Sequence, residues 1–191
     1  MGLKIITPAA TDPITLVEAK AHLRIDGTDE DALITSLVTA ATGYAEGYTR
    51  RRLIDTEFDY TLDAFPTTGG LILPQSPLLT VSSVTYIDTN GDSQTWSSSL
   101  YDVKIDTLLG TIAPVYGEDF PGTRSQTDAV TVRFTAGYAN AAAVPEAIKS
   151  GIKLIVGHLF EQREAYVVGT TIAANPTADM LLDIYRVMKA H

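Results

Sequence analysis

The chain has 191 residues, with 45% hydrophobic and 19% charged content, so it can bury one generous core or two small ones and is not a disordered tract. Its 23 acidic residues outweigh 14 basic ones for a net charge of −9, which argues against a surface that holds nucleic acid by neutralising phosphates. It has no cysteine, which removes disulfides, thiolate metal sites and cysteine nucleophiles together.

Residues 1–14 read as an extended arm punctuated by Pro8 and Pro13, and their start lacks the apolar run of a signal peptide. Synthesis in the cytoplasm is the expectation. Thr15 and Glu18 are spaced as a capping box that opens a short helix to about Leu23, with Leu16, Val17, Ala19 and Leu23 on its buried side. Asp26-Gly27 then turns into the longest element, a helix expected over Thr28–Arg51 with Thr28 as N-cap, about 36 Å long. Ile34, Leu37, Ala41, Tyr44 and Tyr48 recur at spacings of three and four and form its expected core face, flanked by Leu33, Val38 and Ala45.

A second stripe on that helix, Ser36, Ala40, Gly43 and Gly47, has almost no side chain. Glycine inside a helix costs about 1 kcal/mol relative to alanine, so a packing reason is expected. Either another helix of the same chain or a neighbouring subunit can use so smooth a face.

After Arg52 the apolar period drops to two, as in Phe58, Tyr60 and Leu62 and again in Tyr101, Val103 and Ile105. Asn90-Gly91 is a hairpin signal, and six to eight short strands are expected between residues 53 and 138. Helical spacing returns with Pro145 in the first turn and Ile148, Ile152, Ile155 and Leu159 along one face, ending near Glu164. Residues 166–173 read as an apolar loop, and Pro176 opens a last helix bearing Leu181, Leu182, Ile184, Tyr185 and Met188. The expected fold is α+β. A helical bundle is built from both chain ends (1–52 and 139–191), with an antiparallel β lobe inserted at 53–138.

The residues offer little chemistry. His22, His158 and His191 lack a second histidine at i+3 or i+4, so no zinc pattern exists, and His158 suits a core or an interface better than a ligand set. Asp26, Asp29, Glu30 and Asp31 lack the oxygen spacing of a calcium loop and are accounted for by helix capping. Asp102, Asp106, Glu118 and Asp119 are the carboxylates from which a glycosidase pair would be drawn. Trp96, Tyr101, Tyr116, Phe120 and Tyr138 are the aromatics for a sugar platform, against the plainer role of core and strand-pair packing. Arg50, Arg51 and Arg52 sit where cations stabilise the negative end of a helix. No nucleophile elbow, phosphate-binding glycine loop or dinucleotide fingerprint is present. The expectation is no catalytic site, no cofactor and no metal.

The segment from Ile14 to Ile34 resembles the head–tail connector (adaptor) proteins of tailed phages, prophages and gene transfer agents. The resemblance continues through Ala45–Arg51 and returns at Val130–Tyr138, Val144–Lys149, His158–Glu164 and Val167–Gly169. It is looser over residues 53–128, where the β lobe looks like an elaboration of one branch. It implies a structural protein of the virion neck, not an enzyme. Such a protein forms a ring beneath the portal, extends the DNA channel and offers a platform to the stopper or tail-terminator protein. The resemblance implies a portal-facing set at Val167, Val168, Ile172, Leu181, Leu182, Tyr185 and Met188. The small stripe Ser36/Ala40/Gly43/Gly47 is the candidate subunit interface. The partners implied are copies of itself, the portal protein and the next neck protein, with DNA passing and no membrane. The competing expectations are a stopper or tail-completion protein and, from another class, a carbohydrate-binding or hydrolytic β module resting on Trp96 and Asp102.

Overall fold

The computed structural model describes residues 1–162 and 176–188. The fold is mixed α+β, and the chain divides into two compact units, Met1–Ala9 with Asp55–Ala139, and Ala10–Ile54 with Asn140–His191.

The first unit is the β unit. Its main sheet has five antiparallel strands in the order β1 (Gly2–Thr7), β2 (Thr56–Leu62), β8 (Val130–Ala136), β4 (Leu78–Ile87) and β5 (Ser93–Thr95). A second sheet of three strands runs β3 (Leu71–Ile72), β7 (Thr111–Pro114), β6 (Tyr101–Lys104). The period-two pattern has its cause in the register: Phe58, Phe134 and Val81 align across three strands, as do Tyr60, Val132 and Val84. These residues form one apolar face, whereas Asp59, Arg133 and Ser83 align on the opposite, polar one. Phe65, Trp96, Tyr101 and Phe120 complete the core, with Trp96 and Tyr101 ring centroids 4.8 Å apart. At the β4–β5 hairpin, Gly91 supplies a φ of +99°, and one Asp88 oxygen accepts the backbone N–H groups of Asn90, Gly91 and Asp92.

The amino-terminal arm is a strand of this unit rather than a companion of the helical ends. Gly2–Thr7 pairs along β2, from Gly2 opposite Thr61 to Thr7 opposite Glu57.

On the polar face Arg133 donates two hydrogen bonds of 2.8 Å to Asp59, and Lys4 adds its charge. The guanidinium bonds hold the Asp59 carboxyl below its ordinary value of 3.8. A depressed folded-state value adds stability that is complete above the ordinary value and is lost as pH falls through the depressed one. Asp59→Asn should therefore lower the melting temperature slightly at neutral pH and flatten its decline below pH 3.8, as read by thermal melts across an acid series.

The second unit is helical: α1 (Leu16–Leu23), α2 (Asp31–Thr49), α3 (Glu146–Glu161) and α4 (Pro176–Asp183). The Thr15–Glu18 capping box is formed in both directions. The N-cap of helix α2 falls two residues later than the expected Thr28. Glu30 occupies the N-cap without a side-chain capping bond, while Asp31 is drawn into an ion pair with Lys20 of α1. Helix α3 buries Ile148, Ile152 and Ile155, as its spacing predicts, but ends at Glu161. Val17, expected to be buried, is 76% exposed, and Ala19 fills the inward position of α1 instead.

The buried line of α2 is Ile34, Val38, Ala41, Ala45 and Thr49, not the line through Leu37, Tyr44 and Tyr48. The small residues let α3 lie close. The tyrosines swing outward, where their hydroxyls have acceptors.

Candidate functional site

The tyrosines of α2 hold α4. Tyr44 donates a hydrogen bond to Asp179 (2.9 Å) and Tyr48 donates one to Asp183 (2.8 Å), one helical turn apart on both partners. Their rings stack at 5.9 Å, and the Arg186 guanidinium lies 5.0 Å from the Tyr48 centroid. Burial and the Asp179 bond raise the Tyr44 phenol above its ordinary value; the Asp183 bond is the main cause of the same shift at Tyr48. The chain after α4 is tied down as well, by Arg51 to the Tyr185 carbonyl (2.6 Å) and by the Val187 N–H to the Thr49 carbonyl (2.9 Å). Arg52 pairs with Glu46 at 2.8 Å, so Arg51 and Arg52 do more than face the end of a helix.

Beside this clamp lies a concavity of about 400 Å³. Its walls are Ala40 and Tyr44 of α2, Ile155, His158 and Leu159 of α3, and Ala178 and Asp179 of α4. The floor is apolar, and the Tyr44–Asp179 pair gives it a polar edge. His158 is thus half-exposed in a cavity wall. Among the described residues, no group of three or more His, Asp or Glu is placed to hold a metal ion.

The small stripe is on the surface. Ser36, Ala40, Gly43 and Gly47 are all exposed, and among the described residues a methyl group built at Gly43 or Gly47 would meet nothing within 4 Å. Packing among the described residues therefore gives no reason for either glycine. Replacing both by alanine should raise the stability of the unassembled chain by about 1 kcal/mol each, or about 4–8 °C in melting temperature together. Calorimetry of the monomeric protein checks this, and a fall in melting temperature would show that something in the chain already uses the space.

The expected portal-facing residues separate. Leu182 is fully buried against α3 and cannot face a partner. Gly151 of α3 lies so near that an added Cβ would stand 3.2 Å from its side chain. Leu181 and Tyr185 are half-buried, and Met188 is 72% exposed. The exposed apolar side chains of α4 and its end are Met180 and Ile184, which the periodicity did not single out as a pair. Val167, Val168 and Ile172 lie outside the described residues.

The carbohydrate alternative loses Trp96 and Tyr101 from its platform, Phe120 and Tyr138 are half-buried, and Tyr116 is exposed. Trp96 and Tyr101 are 4% and 7% exposed and serve the β core, while Asp102, Asp106, Glu118 and Asp119 are simply solvated. Among the described residues no helix is long and apolar enough to cross a membrane.

The distinctive surfaces of this α+β fold are an apolar concavity, a bare helix face and an outward apolar pair, all of the kind that contacts between proteins use. The model of the phage gp6-like head–tail connector protein family matches residues 13–107. Among solved structures, a chain in the virion of a native gene transfer agent particle is 25% identical with a TM-score of 0.82. Chains in the neck of an empty particle, computed with C6 symmetry, and of a native one, computed with C12 symmetry, are each 24% identical, with TM-scores of 0.82 and 0.79. Each match covers 100% of this chain and 98% of the other. No curated protein matches significantly. The chain is thus similar in sequence to the gp6-like head–tail connector family over residues 13–107, and similar in fold, over its whole length, to chains of gene transfer agent particles.

Proposed function

We propose that this chain is a structural protein of a virion neck, an adaptor that forms a ring at the portal, lengthens the DNA channel and offers a docking platform to the tail side. The observation that carries the reading is the whole-chain likeness to neck proteins of gene transfer agent particles, joined to the connector family match over residues 13–107. The necks compared above were computed with C6 and C12 symmetry, and a cyclic arrangement of this chain needs two different faces on each copy that meet and close. A net charge of −9 suits a conduit, because like charge keeps phosphate from adhering as it passes.

Portal contact is assigned to α4 and the stretch that follows it, where Met188 is exposed and Leu181 and Tyr185 are half-buried. The stopper or tail-terminator protein is the partner on the other side. The test is the mass of the purified protein by light scattering, alone and mixed with the portal ring of the same particle. A ring in either condition supports the reading, and a single chain that ignores the portal overturns it.

A further inference from the structure

We propose that the concavity between α2, α3 and α4 receives Met180 and Ile184 of a second copy of this chain, and that this contact, repeated head to tail, closes the ring. The proposal rests on the ring reading above and names the surfaces that carry it.

The receiving side is a hollow of about 400 Å³ walled by Ala40, Ile155, Leu159 and Ala178. That lies in the range of cavities that take up a compact apolar group. Tyr44 and Asp179 occupy each other at its edge, so entry of carbon leaves neither polar group without a partner. His158 completes the wall, and an apolar floor inside a polar rim is the usual anatomy of a protein–protein contact.

The entering side is Met180 of the same helix and Ile184 in the turn that follows it. Ala178 and Leu182 of α4 are fully buried, whereas Met180 is 70% and Ile184 73% exposed, four residues apart and one turn along. A flexible thioether and a branched aliphatic chain, held out by a clamped helix, lose little freedom on insertion and fill irregular space well.

The two surfaces differ, so they cannot satisfy each other across a two-fold axis. Their repetition is heterologous and generates a closed ring or a filament. The exposed Gly43 and Gly47 lie on the same helix as the Ala40 wall, where missing side chains let a neighbour's α4 come close. A second copy thus accounts for the bare stripe, the hollow and the outward pair together.

The chain has no cysteine, which makes a direct test simple. Ala40→Cys and Ile184→Cys are prepared as separate full-length variants, mixed, assembled with the portal ring and oxidised. A two-chain disulfide product is expected from the mixture and not from either variant alone, and a chain carrying both cysteines should give a ladder of higher products. A ring of normal mass with no such product overturns this interface while leaving the ring reading intact. A mass that stays at one chain with and without the portal overturns both. As a second variant, Met180→Glu with Ile184→Glu should weaken ring formation at least tenfold without changing the monomer's melting temperature. Val17→Glu, at a site 76% exposed on α1, should leave assembly as it is. Wild-type assembly by the double glutamate variant overturns the proposal.

Discussion

Phe134→Ala should destabilise the β unit by about 3–5 kcal/mol, the loss typical of a buried phenylalanine removed from a packed core. Phe134 sits on β8, which is hydrogen-bonded on both sides, to β2 and β4. It lies directly opposite Phe58, with ring centroids 5.4 Å apart and an interplanar angle of 24°, and neither ring is exposed at all. Truncation removes the ring's burial, the stacking with Phe58 and the support of Val81 across the other ladder. A central strand cannot move to fill the hole without breaking hydrogen bonds on both edges, so the cavity term stays large. Phe134→Leu should cost much less, since it retains most of the volume. Chemical denaturation followed by tryptophan fluorescence reads both, because Trp96 belongs to the same core. A loss below about 1 kcal/mol for the alanine variant would mean that this core does not hold the sheet together.

Leu182→Ala should release α4 before the rest of its unit unfolds. The helix has only eight residues, too few to be stable alone in water, so it exists because it is docked. Its docking consists of Ala178 and Leu182 against α3, the Tyr44–Asp179 and Tyr48–Asp183 bonds, and the ties of Tyr185 and Val187. The two phenol bonds are exposed and contribute little each, so Leu182 is the largest single term. Its removal costs about 2–5 kcal/mol. If that loss falls on α4 alone, amide exchange across residues 178–183 should quicken by at least about thirtyfold at fixed global stability. Gly151→Val attacks the same contact from α3. Its new side chain begins 3.2 Å from Leu182 and 3.5 Å from the Ala178 carbonyl, so the Leu182 side chain must give way. Both variants should also impair ring formation, because α4 carries one surface of the proposed contact and a wall of the other. Unchanged exchange in Leu182→Ala would show that the tyrosine clamp suffices.

The connector resemblance was legible at both ends of the chain because it resides in local features. The Thr15–Glu18 box, the run of α2 and the Ile148–Ile152–Ile155 face are each set within a few residues. The orientation of α2 was not legible. Its two neighbouring lines, Ile34–Val38–Ala41–Ala45 and Leu37–Tyr44–Tyr48, both have helical spacing, and size alone favours the tyrosines for the core. The tertiary structure reverses that order, since small residues permit a close helix pair and Asp179 and Asp183, 135 residues away in the chain, accept the phenols. Leu182 was misread as portal-facing for a related reason. On a helix apolar over most of its surface, periodicity does not tell the docked side from the free one.

What the sequence determined by itself is therefore the order of the elements, the α+β class and the absence of any recognisable catalytic pattern, because propensity, capping and alternation act over a few residues. Only the tertiary structure decided that Gly2–Thr7 is a strand, since its partner Glu57–Thr61 is some fifty residues distant and its own burial shows no alternation. It also decided which apolar residues are left to meet a partner. Burial belongs to pairs of elements and not to either alone. Met180 and Ile184 are surface residues because Ala178 and Leu182 found α3, and Gly43 and Gly47 are bare because, among the described residues, nothing came to cover them.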